Sequence, residues 1–262
     1  MAGELKKVMK SKLFIISMLF YTLFIIIALF QRFFNINSGI YLNRVKFEDV
    51  ISFSLISFYI MFALYFGAVL GGYIGGYDFH NNTFCFSHLF EGRIKQHALK
   101  ILTLLIVIIG ILLITVILTI VFCLFRIADI ECSLRFKSLI EQLLVTILAT
   151  FELSLFSYIL AIIIRRLYIA ISIPILLPFL LNAIYGISKV FKYISKYWFT
   201  SVNTVLIAQV FSKISSKESY VTIKIIDSTF LHNFSTLILI SAGYLITFLT
   251  IIMVVGSFIS DN

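Results

Sequence analysis

Residues 101–125 form a run of 25 amino acids without one charged side chain, and no other feature restricts the fold of this chain as strongly. A helix rises about 1.5 Å per residue, so roughly 20 apolar residues cross a hydrocarbon core of about 30 Å. Lipid offers the backbone no hydrogen-bond partner, so a long apolar run of this kind crosses as a helix that satisfies its own amides and carbonyls. Comparable runs recur along the chain. The sequence therefore predicts an all-α integral membrane protein with six transmembrane helices, at residues 13–30, 51–76, 101–125, 139–164, 167–187 and 235–259. With 61% hydrophobic and 13% charged residues, the whole of 1–262 reads as one transmembrane domain with no room for a soluble one.

Charge sets the expected orientation. Lys6, Lys7, Lys10 and Lys12 alternate at helical spacing with Leu5, Val8, Met9 and Leu13, the pattern of an N-terminal amphipathic helix lying in the membrane interface. The apolar run behind it exceeds the roughly 7–15 residues of a signal-peptide core and meets no small-residue cleavage site, so the first span is expected to be retained. Arg93, Lys95 and Lys100 after the second span, and Arg165 and Arg166 after the fourth, fall on the same side as the N-terminal lysines. The positive-inside rule then puts both termini in the cytoplasm and makes residues 188–234 an extracellular loop region, whose half-apolar pieces Trp198 to Phe211 and Tyr220 to Ile226 could dip into the outer leaflet. The net charge of +9 follows from this loop bias, with no nucleic-acid partner. Cys85, Cys123 and Cys132 are odd in number and far apart, and His80, Cys85 and His88 lack a fourth ligand. Neither a disulfide framework nor a metal site is expected.

Three features inside the spans stand out. Ala63, Gly67, Gly71 and Gly75 recur every fourth residue, with Ala68, Gly72 and Gly76 as a second row beside them; small residues so spaced let another helix approach closely. Pro174 and Pro178 each remove a backbone donor and are expected to kink or break the fifth span near its middle. Glu152 is the one acid well inside a span, which makes it a candidate for a translocation path or subunit interface together with those prolines. At about 100° per residue it points away from the polar stripe of Thr146, Thr150, Ser154 and Ser157 on the same helix.

The polar interval 77–100, between the second and third spans, carries an acid (Asp78), a turn-prone Asn81-Asn82 pair, a short apolar piece from Phe84 to Phe90, and a basic run. That piece is too short to cross a membrane and too apolar for an idle loop. It reads as a small surface helix offering Phe84, Phe86, Leu89 and Phe90 to a partner's groove. Arg93, Lys95 and Lys100 would then hold an acidic rim or lipid head groups.

In this interval Asp78 is followed by Asn82-Thr83, the apolar helix, and Arg93 with Lys100 seven residues on. This resembles the permease subunits of ABC-2-type transporters, whose small bacterial members have an interfacial lead-in helix, six spans, and a cytoplasmic coupling helix between spans two and three. Their segment holds an acid, a Gly-Thr pair, the helix, then Ser-Arg and a Lys seven residues later. Asn82 stands here for the Gly and Gly92 for the Ser. The resemblance implies that Asp78, Thr83, Phe84, Phe86, Leu89, Phe90, Arg93 and Lys100 couple the chain to a cytoplasmic ABC ATPase present in two copies. It further implies a second permease subunit, identical or homologous, and a place in the bacterial plasma membrane. The chain has no G-x-x-x-x-G-K-[ST] motif, so it is expected to be no enzyme and to bind no cofactor; ATP and Mg belong to the partner ATPase. The implied activity is export of a hydrophobic or amphipathic substrate, such as an antimicrobial peptide, in secretion or bacteriocin immunity. An intramembrane enzyme or membrane regulator acting without an ATPase is the alternative, although Ser-His-Asp, H-E-x-x-H and paired intramembrane carboxylates are all missing.

Overall fold

In the structure the apolar runs fall on helices, several of which begin before the run does. The computed structural model describes residues 2–37, 45–80, 92–124, 130–131, 136–184, 196–214 and 233–258. Helix α1 (Ala2–Lys10) is the amphipathic lead-in, with Val8 buried against the bundle, and it bends at Ser11 into α2 (Lys12–Asn37). The chain is then helical without interruption from α3 (Phe47–Ser57) through a π-helical segment (Phe58–Ala63) into α4 (Leu64–His80). A π segment adds a residue to the turn, so it rotates the faces of α4 relative to those of α3. The remaining helices are α5 (Arg93–Leu124), α6 (Phe136–Ile164), α7 (Leu167–Ile184), α8 (Phe199–Ile214) and α9 (Phe234–Phe258).

Three helices are long and apolar enough to cross a membrane, within Ile94–Leu124, Phe136–Ile164 and Phe234–Gly256; the bent α1–α2 pair gives a fourth if it is one span. Leu167–Leu180 and Phe199–Phe211 are shorter apolar helices. Large apolar side chains cover the outside. Phe20 on α2 is 67% exposed, Tyr168 on α7 68% and Leu239 on α9 71%. Water would not tolerate an apolar surface of this extent, whereas hydrocarbon solvates it. This is the surface a multi-pass membrane protein requires.

Two short strands, one ahead of α3 and one between α5 and α6, meet at one end of the bundle. Strand β1 (Val45–Lys46) pairs in parallel with β2 (Ile130–Glu131), two residues each. At the opposite end, α6 turns into α7 through Arg165, whose φ of 56° closes the turn in the left-handed region. Its guanidinium lies 5.9 Å from the ring of Phe79, beside Asp78 at the end of α4.

Two expectations are corrected here. Helix α7 runs through both Pro174 and Pro178, so the break expected there is absent. Pro174 has no N–H to give the carbonyl of Ala170, but the Ser157 hydroxyl on α6 reaches that oxygen at 3.0 Å and the Ala68 carbonyl at 2.7 Å. A neighbouring serine thus shares its one proton between the Ala68 carbonyl and the carbonyl that proline leaves open. The interval 188–234, expected to be loop, contains the buried helix α8, which packs Val202, Leu206 and Val210 against α6, α9 and α3. Its apolar residues recur at i, i+4 and i+8, a helical stripe that its polar flanks conceal.

Candidate functional site

The most extensive helix pair, α4 on α6, is built by the glycine rows. A Cβ on Gly71 would lie 1.9 Å from the carbonyl oxygen of Ser154, and one on Gly75 would lie 3.0 Å from both Tyr158 and Ala161. Gly67 sits against Thr150 and Ser154 in the same way, so this row faces the polar stripe of α6. Three of its four hydroxyls are spent on its own helix, Thr146, Thr150 and Ser154 each donating to the carbonyl four residues back. Gly72 and Gly76, the second row, face Ile171 and Leu167 of α7. Helices α4, α6 and α7 therefore meet backbone to backbone, and the unit they form is stiff.

Asp78 lies on the last turn of α4, buried with 1% of its surface exposed. Lys100, two turns into α5, donates to its Oδ2 at 2.6 Å and is also buried. Gln96 Nε2 stands 3.5 Å from the same oxygen, at the limit of hydrogen-bond reach. Lys7 of α1 approaches Oδ1 at 3.6 Å while donating to Glu4 at 2.8 Å. Partial burial works against the Lys7 ammonium, but the hydrogen bond to Glu4 and the field of Asp78 outweigh it and hold its pKa above the usual lysine value. One helical turn from Lys100, His97 Nδ1 is 2.7 Å from the Tyr158 hydroxyl, and Gly256 of α9 leaves room for the imidazole, since a Cβ there would lie 2.6 Å from His97 Cδ2. Five helices, α1, α4, α5, α6 and α9, converge at this polar end.

These contacts correct the role expected for Lys100. It is spent inside the chain on Asp78 and is not free to hold an acidic rim or a head group. Lys95, on the other side of α5, is exposed. Thr83, Phe84, Phe86, Leu89 and Phe90 lie outside the described residues, as does the side chain of Arg93. Gly92, standing where the coupling motif has Ser, takes a φ of 71°, a left-handed conformation open to glycine and strained for serine.

Glu152 lies in the bundle, fully buried, at the meeting of α6, α8 and α9. Asn203 Nδ2 donates to its Oε2 at 2.8 Å, the Ser241 hydroxyl donates to its Oε1, and Ser241 also lies 3.2 Å from Asn203 Oδ1. Both carboxyl oxygens are thus engaged within the chain. Sequence reasoning singled out Glu152 but missed both partners. Asn203 lay in a segment read as loop, and Ser241 is one hydroxyl in an apolar span; the signal for Asn203 was a polar residue on the same helical face as Val202 and Leu206. Pro174 and Pro178 are far along α7 from the polar end and join neither cluster. Among the described residues no group of three His, Cys, Asp or Glu could hold a metal ion.

The arrangement is that of a multi-pass helical membrane protein with a polar clamp at one end and a buried carboxyl hub in its interior. No protein-family model matches the sequence, and no curated protein matches it.

Proposed function

We propose that this chain is the membrane-spanning permease subunit of an ATP-driven exporter of the ABC-2 type, with ATP hydrolysis supplied by a separate cytoplasmic ATPase. The observation that carries this reading is the buried ion pair between Asp78 and Lys100, because it locks the end of α4 to the start of α5 on either side of residues 81–91. The acid and the lysine of the coupling motif are the two members of that pair. A segment held between two locked helix ends acts as a handle. Force applied by an ATPase to the aromatic piece 84–90 passes into α4, and from α4 through the glycine rows into α6 and α7.

In this reading α2, the continuous helix 47–80, α5, α6, α7 and α9 are the six spans, with α8 packed among them. The polar end with Lys7, Asp78, Lys100 and Arg165 is cytoplasmic, and the β1–β2 end is external. The cargo is hydrophobic or amphipathic, an antimicrobial peptide in export or self-immunity, and a second permease subunit completes the path. The test is purification of the tagged chain from its host membrane in mild detergent, with the co-purifying chains identified. An ATPase carrying G-x-x-x-x-G-K-[ST], in equal proportion to the permease, is expected. A chain that purifies without any ATPase, while a labelled Asn82→Cys is reached from outside the cell, would overturn both the partner and the orientation.

A further inference from the structure

Between α1 and the end of α4 lies a pocket of about 310 Å³ lined by Lys6, Lys7, Lys10, Ser11, Tyr73 and Tyr77. Tyr73 is hydrogen-bonded to Ser11, and three of these side chains are cations. Their charges are not equivalent. Lys7 is committed to Glu4 and Asp78, and its ammonium lies 5.8 Å above the Tyr77 ring. Lys6 and Lys10 are exposed and have no carboxylate partner among the described residues, so the pocket carries a net positive charge. Ser11 marks the bend between α1 and α2 and caps α2, its Oγ accepting the Phe14 N–H at 3.3 Å.

The lining selects the ligand's chemistry. Lysines are compact point charges on flexible stems, suited to an anion with several oxygens spread around one centre. The surroundings select its source. Within two to three turns of Ser11, the exposed face of α2 is apolar, with Ile15, Ile16, Leu19 and Phe20 outward. A ligand seated in the pocket therefore has a lipid-facing helix wall beginning at its edge. We propose that this pocket binds the phosphate of an anionic glycerolipid, with its acyl chains lying along the outward face of α2. The site adjoins the Asp78–Lys100 pair through Lys7 and stands whether or not an ATPase binds the chain.

The experiment uses the full chain purified in a nonionic detergent and titrated with dihexanoyl phosphatidylglycerol, the apparent affinity being read from the rise of the thermal unfolding midpoint. Parallel titrations use dihexanoyl phosphatidylcholine and inorganic phosphate. The anionic lipid is expected to stabilise, and the zwitterionic lipid and inorganic phosphate are not. Replacing both free cations, in Lys6→Gln/Lys10→Gln, is expected to weaken the anionic lipid about tenfold to thirtyfold, since each lysine near an anionic surface contributes on the order of one factor of five. Lys6→Arg/Lys10→Arg keeps the affinity, and Lys137→Gln, an exposed lysine on α6, leaves it unchanged. Equal stabilisation by inorganic phosphate would overturn the lipid assignment in favour of a soluble phosphate. Stabilisation that survives Lys6→Gln/Lys10→Gln would overturn the pocket itself.

Discussion

Lys100 Nζ lies 2.6 Å from Asp78 Oδ2, and the two side chains, 22 residues apart in sequence, are each at most 3% exposed. A charge pair this deeply buried is held by its geometry, because Lys100 alone would be left desolvated and unpaired, and Asp78 alone would keep the more distant Lys7, at 3.6 Å, as its cation. Asp78→Asn or Lys100→Met alone should therefore lower stability by about 3–5 kcal/mol, and the paired change Asp78→Asn/Lys100→Met by clearly less than the sum. Chemical unfolding in detergent of the two single variants and the double variant measures this coupling. Additive losses would show that the two charges do not depend on each other.

The glycine rows make a sharp contrast testable. A Cβ on Gly71 would meet the Ser154 backbone, which cannot move aside as a side-chain tip can, whereas one on Gly110 or Gly243 would meet nothing within 4 Å. Gly71→Ala should cost on the order of 1–3 kcal/mol and separate α4 from α6. Gly110→Ala and Gly243→Ala should be neutral or should stabilise by up to about 1 kcal/mol through helix propensity. Thermal unfolding of the three variants separates the cases; equal effects would mean that α4 and α6 are not in backbone contact.

Ser157 supports the carbonyl that Pro174 orphans. Ser157→Ala should cost about 1 kcal/mol, in the range of buried hydrogen bonds between membrane helices. Pro174→Ala restores an N–H for the Ala170 carbonyl, so in the Ser157→Ala background it should recover part of the loss. If Pro174→Ala has the same effect with and without Ser157, the hydroxyl does not substitute for the missing donor.

Glu152 holds α8 and α9 to α6 through Asn203 and Ser241. Glu152→Gln retains an acceptor for one of them and should stay within about 1 kcal/mol of the parent, whereas Glu152→Leu leaves the Asn203 amide unpaired and should cost about 1–3 kcal/mol. Unfolding of the two variants, with cross-linking between α8 and α9 as a readout of the hub, checks the order. A Leu variant as stable as the Gln variant would remove Glu152 from the hub.

The elements were legible in the sequence wherever one apolar run made one helix. Residues 101–125, 139–164 and 235–259 differ from α5, α6 and α9 mainly at their ends, since polar residues such as Arg93 and Lys95 continue a helix as readily as they end a span. The glycine spacing announced close packing, but which helix it served could not be read. Helical period fixes a face and says nothing of the partner that α6 and α7 turned out to be. Helix α8 was legible only as a half-apolar piece, Trp198 to Phe211, at the membrane surface; its burial against α6, α9 and α3 could not be read from a segment flanked by lysines and serines. The Asp78–Lys100 pair was hidden by the interval between its members: each reads as a loop charge alone, and only the antiparallel return of α5 beside α4 brings them together. The prolines allowed either a kink or a break, and proline's local rule could not say that α7 would continue through both.

Coupling to an ATPase is tested most directly by replacing Phe86 and Phe90, two of the aromatics that the sequence offers from residues 84–90, with alanine. The tagged Phe86→Ala/Phe90→Ala chain is expressed beside the parent, and both are purified from membranes with ATPase content and ATP turnover measured. Aromatic anchors in a partner groove are worth about 2 kcal/mol each, so the variant should insert in equal amount yet lose most of its bound ATPase and its cargo-stimulated turnover. Arg93→Glu should do less, since a charge at a solvated rim is worth under about 1 kcal/mol. A double alanine variant that keeps its ATPase and its coupled turnover would contradict the assignment of this chain as an ATP-driven permease working through that segment.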